Sequence, residues 1–299
     1  LTRIRILIIF LLLWCGLAEL VAAEVCSGSK VPKAEREAYD AQATLTAAEI
    51  VQALQTHLPY GQPPCPMLLP SQAYIVCYSP AHRLALWAAY QLKAEDLQER
   101  ARRDAFRSDP RLNAEENAAC ADYKDSGYDR GHIVPNGDMG RSAKDQANTF
   151  FLSNMAPQTP ALNRGLWRYF EDRVRTYVQR LGSLHLVTGS ILPEPAQTVP
   201  SGRVTIPTRF FKILLRSTPT GRPAILAVQL PNLHEGLPVP PGTRGVQGQT
   251  ISAEAADAFL AAHTVSVKEI EHLTGLDLLP TLDAEPLKRE VARELWARN

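Results

Sequence analysis

Hydrophobic positions along the chain change their spacing several times, and those changes mark its elements. Thr46-Ala47-Ala48-Glu49 has the form of a capping box. It predicts a helix whose Ile50, Val51, Leu54 and Leu58 share one side before Pro59 ends it. Residues 61–66 hold Gly61, Pro63, Pro64 and Pro66 and read as a turn-rich connector. Aromatic and β-branched content makes 73–78 a strand. Residues 83–92 fit two readings: propensity favours a helix, while Leu84, Leu86, Ala88 and Tyr90 at period two fit a strand. The next stretch, 93–111, carries Arg100, Arg102, Arg103, Arg107 and Arg111 offset by Glu95, Asp96, Glu99 and Asp104. It reads either as a solvated helix or loop or as a phosphate-contacting edge, and composition alone favours the first. A short strand ends on His132, and a helix follows over 162–179. Leu184 to Thr188, Phe210 to Arg216 and Ile225 to Leu230 read as strands, the last two joined through Thr218-Pro219-Thr220-Gly221. Proline-rich loops occupy 191–208 and 231–248. Three helical stretches close the chain: Ser252 to His263, a second after the box Ser266-Val267-Lys268-Glu269 that stops at Gly275, and a third from about Glu285. Neither a repeat nor a linker-like break appears, so residues 24–299 are expected to form one α+β domain.

The first 23 residues are set apart from that pattern. Arg3 and Arg5 precede the apolar run Ile6–Leu17, and Val21-Ala22-Ala23 suits cleavage before Glu24. This is the form of a secretory signal peptide. A retained anchor fits less well, because Glu19 interrupts a run already shorter than the about 20 apolar residues of a membrane span. The expectation is a secreted or periplasmic protein with no membrane attachment after cleavage. Four cysteines then remain, Cys26, Cys65, Cys77 and Cys120. An even number in an exported chain suggests two disulfides, with three connectivities open. Cys77, inside an apolar run, also reads as a plain buried thiol.

Charge changes the picture in one respect. Without the signal, Lys+Arg falls from 32 to 30 and Asp+Glu from 31 to 30, so the remaining chain is neutral. Attraction for a polyanion must then come from a local basic patch and a bound cation.

Candidate chemistry concentrates in residues 128–171. His132 is a candidate general base, since imidazole titrates near neutrality. Strand alternation puts Arg130 on its face, where it meets the phosphate under attack. Gly131 between them permits a close approach. Asn163, Trp167 and Glu171 are spaced i, i+4, i+8, one stripe of a regular helix rising roughly 12 Å. Asn163 and Glu171 are then too far apart to be ordinary ligands of one small ion. Mg²⁺ tolerates this because it keeps several waters. Asn163 is expected to bind the ion, Glu171 to hydrogen-bond one of its waters, and Trp167 to pack in the core. Asn154 and Gln158 flank Pro157, and Asn154 is the candidate for a functional amide.

The strings Asp129-Arg130-Gly131-His132, Ser153-Asn154-Met155-Ala156-Pro157-Gln158 and Leu162-Asn163-Arg164-Gly165-Leu166-Trp167 with Glu171 resemble the signature of the DNA/RNA non-specific endonucleases. These are the ββα-metal, or His-Me finger, nucleases. Similar stretches lie upstream (Tyr60 to Pro63, Arg103 to Asp109) and downstream (Val187 to Gly189, Ile206 to Lys212, Thr274 to Asp277), covering roughly residues 57–280. The resemblance implies His132 as general base, Asn163 as direct ligand of Mg²⁺ (or Mn²⁺), Asn154 and Glu171 in support, and Arg130 and Arg103 facing phosphate. It also implies a central antiparallel sheet flanked by helices, which makes 83–92 a strand. The implied activity is hydrolysis of both DNA and RNA to 5′-phosphate oligonucleotides, with a homodimer left open. Two rivals are weaker. An inactive nucleic-acid-binding member would not need His132, Asn163 and Glu171 together. An exported esterase would need a nucleophile elbow, and Thr188-Gly189-Ser190-Ile191 lacks its second glycine.

Overall fold

The computed structural model describes residues 23–218, 222–282, 285–292 and 294–296. The proposed signal peptide, apart from Ala23, and the Pro219–Gly221 turn lie outside these residues. Among the described residues no helix is long and apolar enough to cross a membrane.

An N-terminal arm carries helix α1 (Lys33–Asp40), and α2 (Ala47–His57) follows. The capping box of α2 is formed: Thr46 Oγ1 accepts from Glu49 N, and Glu49 accepts from Thr46 N. Strands β1 (Met67–Pro70), β2 (Ile75–Ser79) and β3 (Leu84–Lys93) form a meander. After an irregular stretch come β4 (Asp129–His132), α3 (Ala143–Asn148) and β5 (Met155–Gln158). A kinked turn at Leu162–Trp167 leads into α4 (Arg168–Leu181). Then follow β6 (Ser183–Ile191), β7 (Arg209–Arg216), β8 (Ala224–Pro231), α5 (Ala253–Ala262), β9 (Thr264–Val265), α6 (Val267–Thr274) and α7 (Glu285–Arg289).

Seven strands form one antiparallel sheet in the order β1-β2-β3-β6-β7-β8-β9, while β4 and β5 pair as a separate ribbon. Residues 83–92 are therefore strand. Helix propensity loses there because β3 is central and buried on both faces. Alternation sorts the side chains into two cores. Tyr90, Leu186, Phe210 and Leu214 meet Trp167, Phe170 and Val174 of the α4 layer. Trp87, Val187, Phe211 and Ile213 meet Val267, Ile270 and Leu279 on the other side. α4 thus lies across one face of the sheet, with the β4–β5 ribbon beside it.

One sequence expectation changes, and the expectation of two disulfides is met. The 93–111 stretch is not simply solvated: Arg107 is fully buried, its Nε 2.8 Å from Asp40, and Arg111 is paired with buried Asp109 at 2.6 Å. Buried cations need such partners, and the arm bearing Asp40 was invisible to a reading of local charge. Cys77 is not a free thiol: the disulfides are Cys26–Cys120 and Cys65–Cys77.

Candidate active site

The ribbon sets the first wall of the site. In its register Arg130 faces Pro157 and His132 faces Met155. Gly131 has no side chain for a steric reason: a Cβ there would stand 2.1 Å from Gln158 Oε1. The close approach anticipated at Gly131 is therefore made by Gln158, not by a ligand. Beyond His132 the chain is held by Asn154. Its Oδ1 accepts from Val134 N at 3.0 Å, and its Nδ2 donates to Val134 O and Thr149 O at 3.0 and 2.8 Å. Asn154 is buried and fully occupied with backbone, so it positions the His132 segment and does not line the cleft.

His132 sits between two aromatic rings, Phe106 at 5.7 Å and Phe150 at 4.9 Å. Its Nε2 is buried without a hydrogen-bond partner. Burial, with help from the Arg102 guanidinium and against Asp104, pushes its pKa down to about 3. The imidazole is thus neutral at physiological pH, the state a proton acceptor requires.

The second wall comes from the start of α4. Gly165 has non-helical angles (φ −101, ψ −111), so residues 163–171 are not one regular helix and the predicted stripe is broken. Trp167 turns into the core, 1% exposed, while Asn163 and Glu171 both line the cleft. Asn163 Nδ2 donates to Asp129 Oδ2 at 2.9 Å, and the Arg164 guanidinium grips the same carboxylate at 2.7 and 2.6 Å. With its amide nitrogen facing a carboxylate, the Asn163 oxygen is left free to serve as a ligand. Glu171 accepts no hydrogen bond among the described residues. Burial raises its pKa to about 7 against the pull of Lys212 and Arg175.

The walls enclose an open cleft of about 720 Å³. His132, Arg130, Asn163 and Glu171 all line it, and Arg103 does not. Arg103 is turned away, bound through both terminal nitrogens to Glu35 of α1 at 2.8 Å each. Its neighbour Arg102 lines the cleft instead. Of the sequence candidates, four therefore meet at one cleft and Arg103 lies elsewhere, because the arm that binds it falls outside the stretch covered by the family resemblance. Sequence reasoning also passed over Arg168, Arg175 and Arg244. The first two stand three residues before and four after Glu171, a same-face spacing that was available. Arg244 sits in the 231–248 loop, and nothing local marks it. The role of Asp129 in orienting Asn163 was likewise missed.

Among the described residues no cluster of three or more His, Cys, Asp or Glu could hold a metal ion. The donor set is instead one free amide oxygen and one carboxylate in a wet cleft. That suits a hard cation taking few protein oxygens and keeping its waters, and does not suit a transition-metal cage.

A cleft with six arginines on its walls and a neutral imidazole inside is suited by charge to a polyanion, and the ribbon and crossing helix that build it are the ββα-metal nuclease fold. The chain belongs to the DNA/RNA non-specific endonuclease family, whose profile matches residues 58–285. It is 34% identical to mitochondrial endonuclease G of Homo sapiens over 237 residues, covering 75% of this chain and 73% of that protein. It is 32% identical to a nuclease of Nostoc sp. over 251 residues, covering 77% and 83%. In fold it is similar to a chain of the EndoG/EndoGI inhibition complex, with a TM-score of 0.65 at 22% identity, covering 80% of this chain and 95% of that one. The protein is thus a nucleic-acid hydrolase of this family.

Proposed function

We propose that the protein is an exported, Mg²⁺-dependent endonuclease that cuts DNA and RNA without sequence preference and leaves 5′-phosphate ends. The observation that carries this reading is the convergence of His132 and Asn163 on one cleft from separate elements. Neutral His132 takes a proton from water as that water attacks phosphorus in line. Arg130 and Arg102 hold the phosphate oxygens. Pairing Arg102 with phosphate also relieves one of the effects that depress His132, so its basicity rises when substrate binds. Mg²⁺ held at the Asn163 oxygen, with Mn²⁺ as a substitute, would offset charge on the phosphoryl group and the departing 3′ oxygen. Glu171 orients a second water that gives its proton to that oxygen. Contacts to phosphate carry no sequence information, which supports action on both polymers. Export rests on the leader-like residues 1–23 and the two disulfides.

The test is parallel digestion of plasmid, single-stranded DNA and RNA at varied Mg²⁺, with and without EDTA. Cleavage is expected on all three and is abolished by chelation; undiminished cutting in EDTA rejects the scheme. A second expectation concerns Arg168 and Arg244, which are exposed at the cleft with no partner among the described residues. Replacing both by alanine should reduce the slope of log Kobs against log salt for duplex DNA by about 2. An unchanged slope would mean that the duplex follows another path.

A further inference from the structure

Residues 97–106 supply part of the cleft without regular structure of their own, being neither helix nor strand. Arg102 and Phe106 of this segment line the cleft. A stretch of this kind keeps its side chains in place only through contacts made elsewhere. Arg102 and its neighbour Arg103 are consecutive yet face different ways. The Arg102 guanidinium lies 5.2 Å from the centre of the Phe150 ring, which packs against His132. Arg103 reaches α1 in the arm.

The arm is what holds the segment. Among the described residues, the backbone hydrogen bonds of 98–106 to other backbone groups run from Lys30 N to Asp104 O at 2.6 Å and from Cys26 N to Phe106 O at 2.9 Å, both from the arm. Just beyond, Ser108 N donates to Glu24 O at 2.9 Å. Side chains tighten the join. Arg103 donates through Nη1 and Nη2 to the two oxygens of Glu35 at 2.8 Å each, and the Tyr39 hydroxyl donates to Glu35 Oε1 at 2.6 Å. Asp104 meets Lys30 Nζ at 3.4 Å on one side and accepts from Arg102 Nε at 2.7 Å on the other. A lone surface ion pair contributes little. A two-pronged guanidinium–carboxylate contact, with a hydroxyl on the same carboxylate, fixes direction as well as distance.

We propose that Glu35 is a positioning residue for substrate binding: by clamping Arg103 from the arm, it holds the adjoining Arg102 in the cleft against a substrate phosphate. The phosphate contact rests on the nuclease reading given above; the clamp itself does not. Without the clamp the backbone at 102–103 is free to turn, and Arg102 leaves the cleft as it does so. The family profile begins at residue 58, so Glu35 belongs to a part of this chain that the profile does not reach.

The experiment is a cycle of variants read by the Kd for a short DNA duplex, with EDTA present to prevent cutting. The Glu35 side chain is 30% exposed, so its replacement leaves the core intact. Glu35→Ala should raise Kd about fivefold, part of the about tenfold expected for Arg102→Ala, which removes a charge-assisted contact. Removing a negative charge would by itself favour DNA, so a loss in Glu35→Ala has the opposite sign to a plain charge effect. In the Arg102→Ala background Glu35→Ala should cost less than about twofold, because the group it positions is gone. A general loosening would cost the same factor in both backgrounds. That result, or an unchanged or lower Kd in Glu35→Ala, overturns the proposal.

Limited proteolysis reads the clamp without any substrate. Trypsin cuts after arginine, and Arg100, Arg102 and Arg103 lie in the clamped segment. Glu35→Ala alters no tryptic site. Cutting after these three residues should become severalfold faster in the variant, with cutting elsewhere in the folded chain unchanged. Equal rates in variant and wild type overturn the clamp. A wild-type protein that neither binds nor cuts DNA would remove the nuclease reading, and the tryptic comparison would still decide whether Glu35 holds the segment.

Discussion

The His132→Gln protein is expected to cut plasmid DNA about 10²- to 10⁴-fold more slowly than the wild type while still binding it, the usual contribution of a positioned general base. Glutamine fills much of the space between Phe106 and Phe150 but cannot take a proton. Arg130, Arg102 and Asn163 stand on other positions and would keep the phosphate and cation contacts proposed for them, so the loss should appear in kcat and leave KM nearly unchanged. The substitution has a second signature that does not depend on turnover. His132 is held neutral by burial, its pKa lowered from 6.5 to about 3. Its folded-state pKa is below its unfolded one, so the unfolded chain binds this proton first. The stability that comes from neutrality is complete above about pH 6.5. It declines by about 1.4 kcal/mol per unit as the pH falls from there toward 3. His132→Gln should flatten this part of the acid-unfolding curve. Full activity in the variant, measured on plasmid with Mg²⁺ present, would remove His132 from the chemistry.

The second large effect is on stability. Replacing Cys26 and Cys120 by serine is expected to cost about 4–5 kcal/mol, against about 3 kcal/mol for the Cys65 and Cys77 pair. The difference follows from loop length, since the bonds join residues 94 and 12 apart. The longer link also fastens the arm to the cleft wall. Cys26 N donates to Phe106 O at 2.9 Å, and Arg130 Nη2 donates to Cys120 O at 3.4 Å. Phe106 in turn lies under the Arg130 guanidinium, 5.1 Å from its carbon. Loss of this bond should therefore lower activity at temperatures where the variant is still folded. Loss of the Cys65–Cys77 bond, remote from the cleft, should lower only the melting point. Equal melting points for the two serine variants would contradict the loop-length argument.

Much of the fold could be read in the chain because its signals are local. The α2 box, the αL stop at Gly275 and the alternation in the central strands all act over a few residues. Where local signals conflicted, as at residues 83–92, the family likeness decided for strand. The site was legible in its motif residues: Arg130, His132, Asn163 and Glu171 share the cleft. What stayed hidden depends on chain far away in sequence. The capture of Arg103 by Glu35 spans 68 residues, and the arrival of Arg244 at the cleft depends on how a proline-rich loop folds back. The helical stripe failed for a smaller reason. One glycine with non-helical angles breaks the regular rotation on which i, i+4, i+8 counting relies.

The whole chain carries a net charge of only +1, yet six guanidinium groups line one recess. Attraction confined in this way weakens within about 10 Å at moderate ionic strength. Such a molecule should percolate through anionic slime or gel with little retardation by its outer surface, and engage a filament only where that filament can bend or thread inward. Access, more than composition of the polymer, would then select what is degraded.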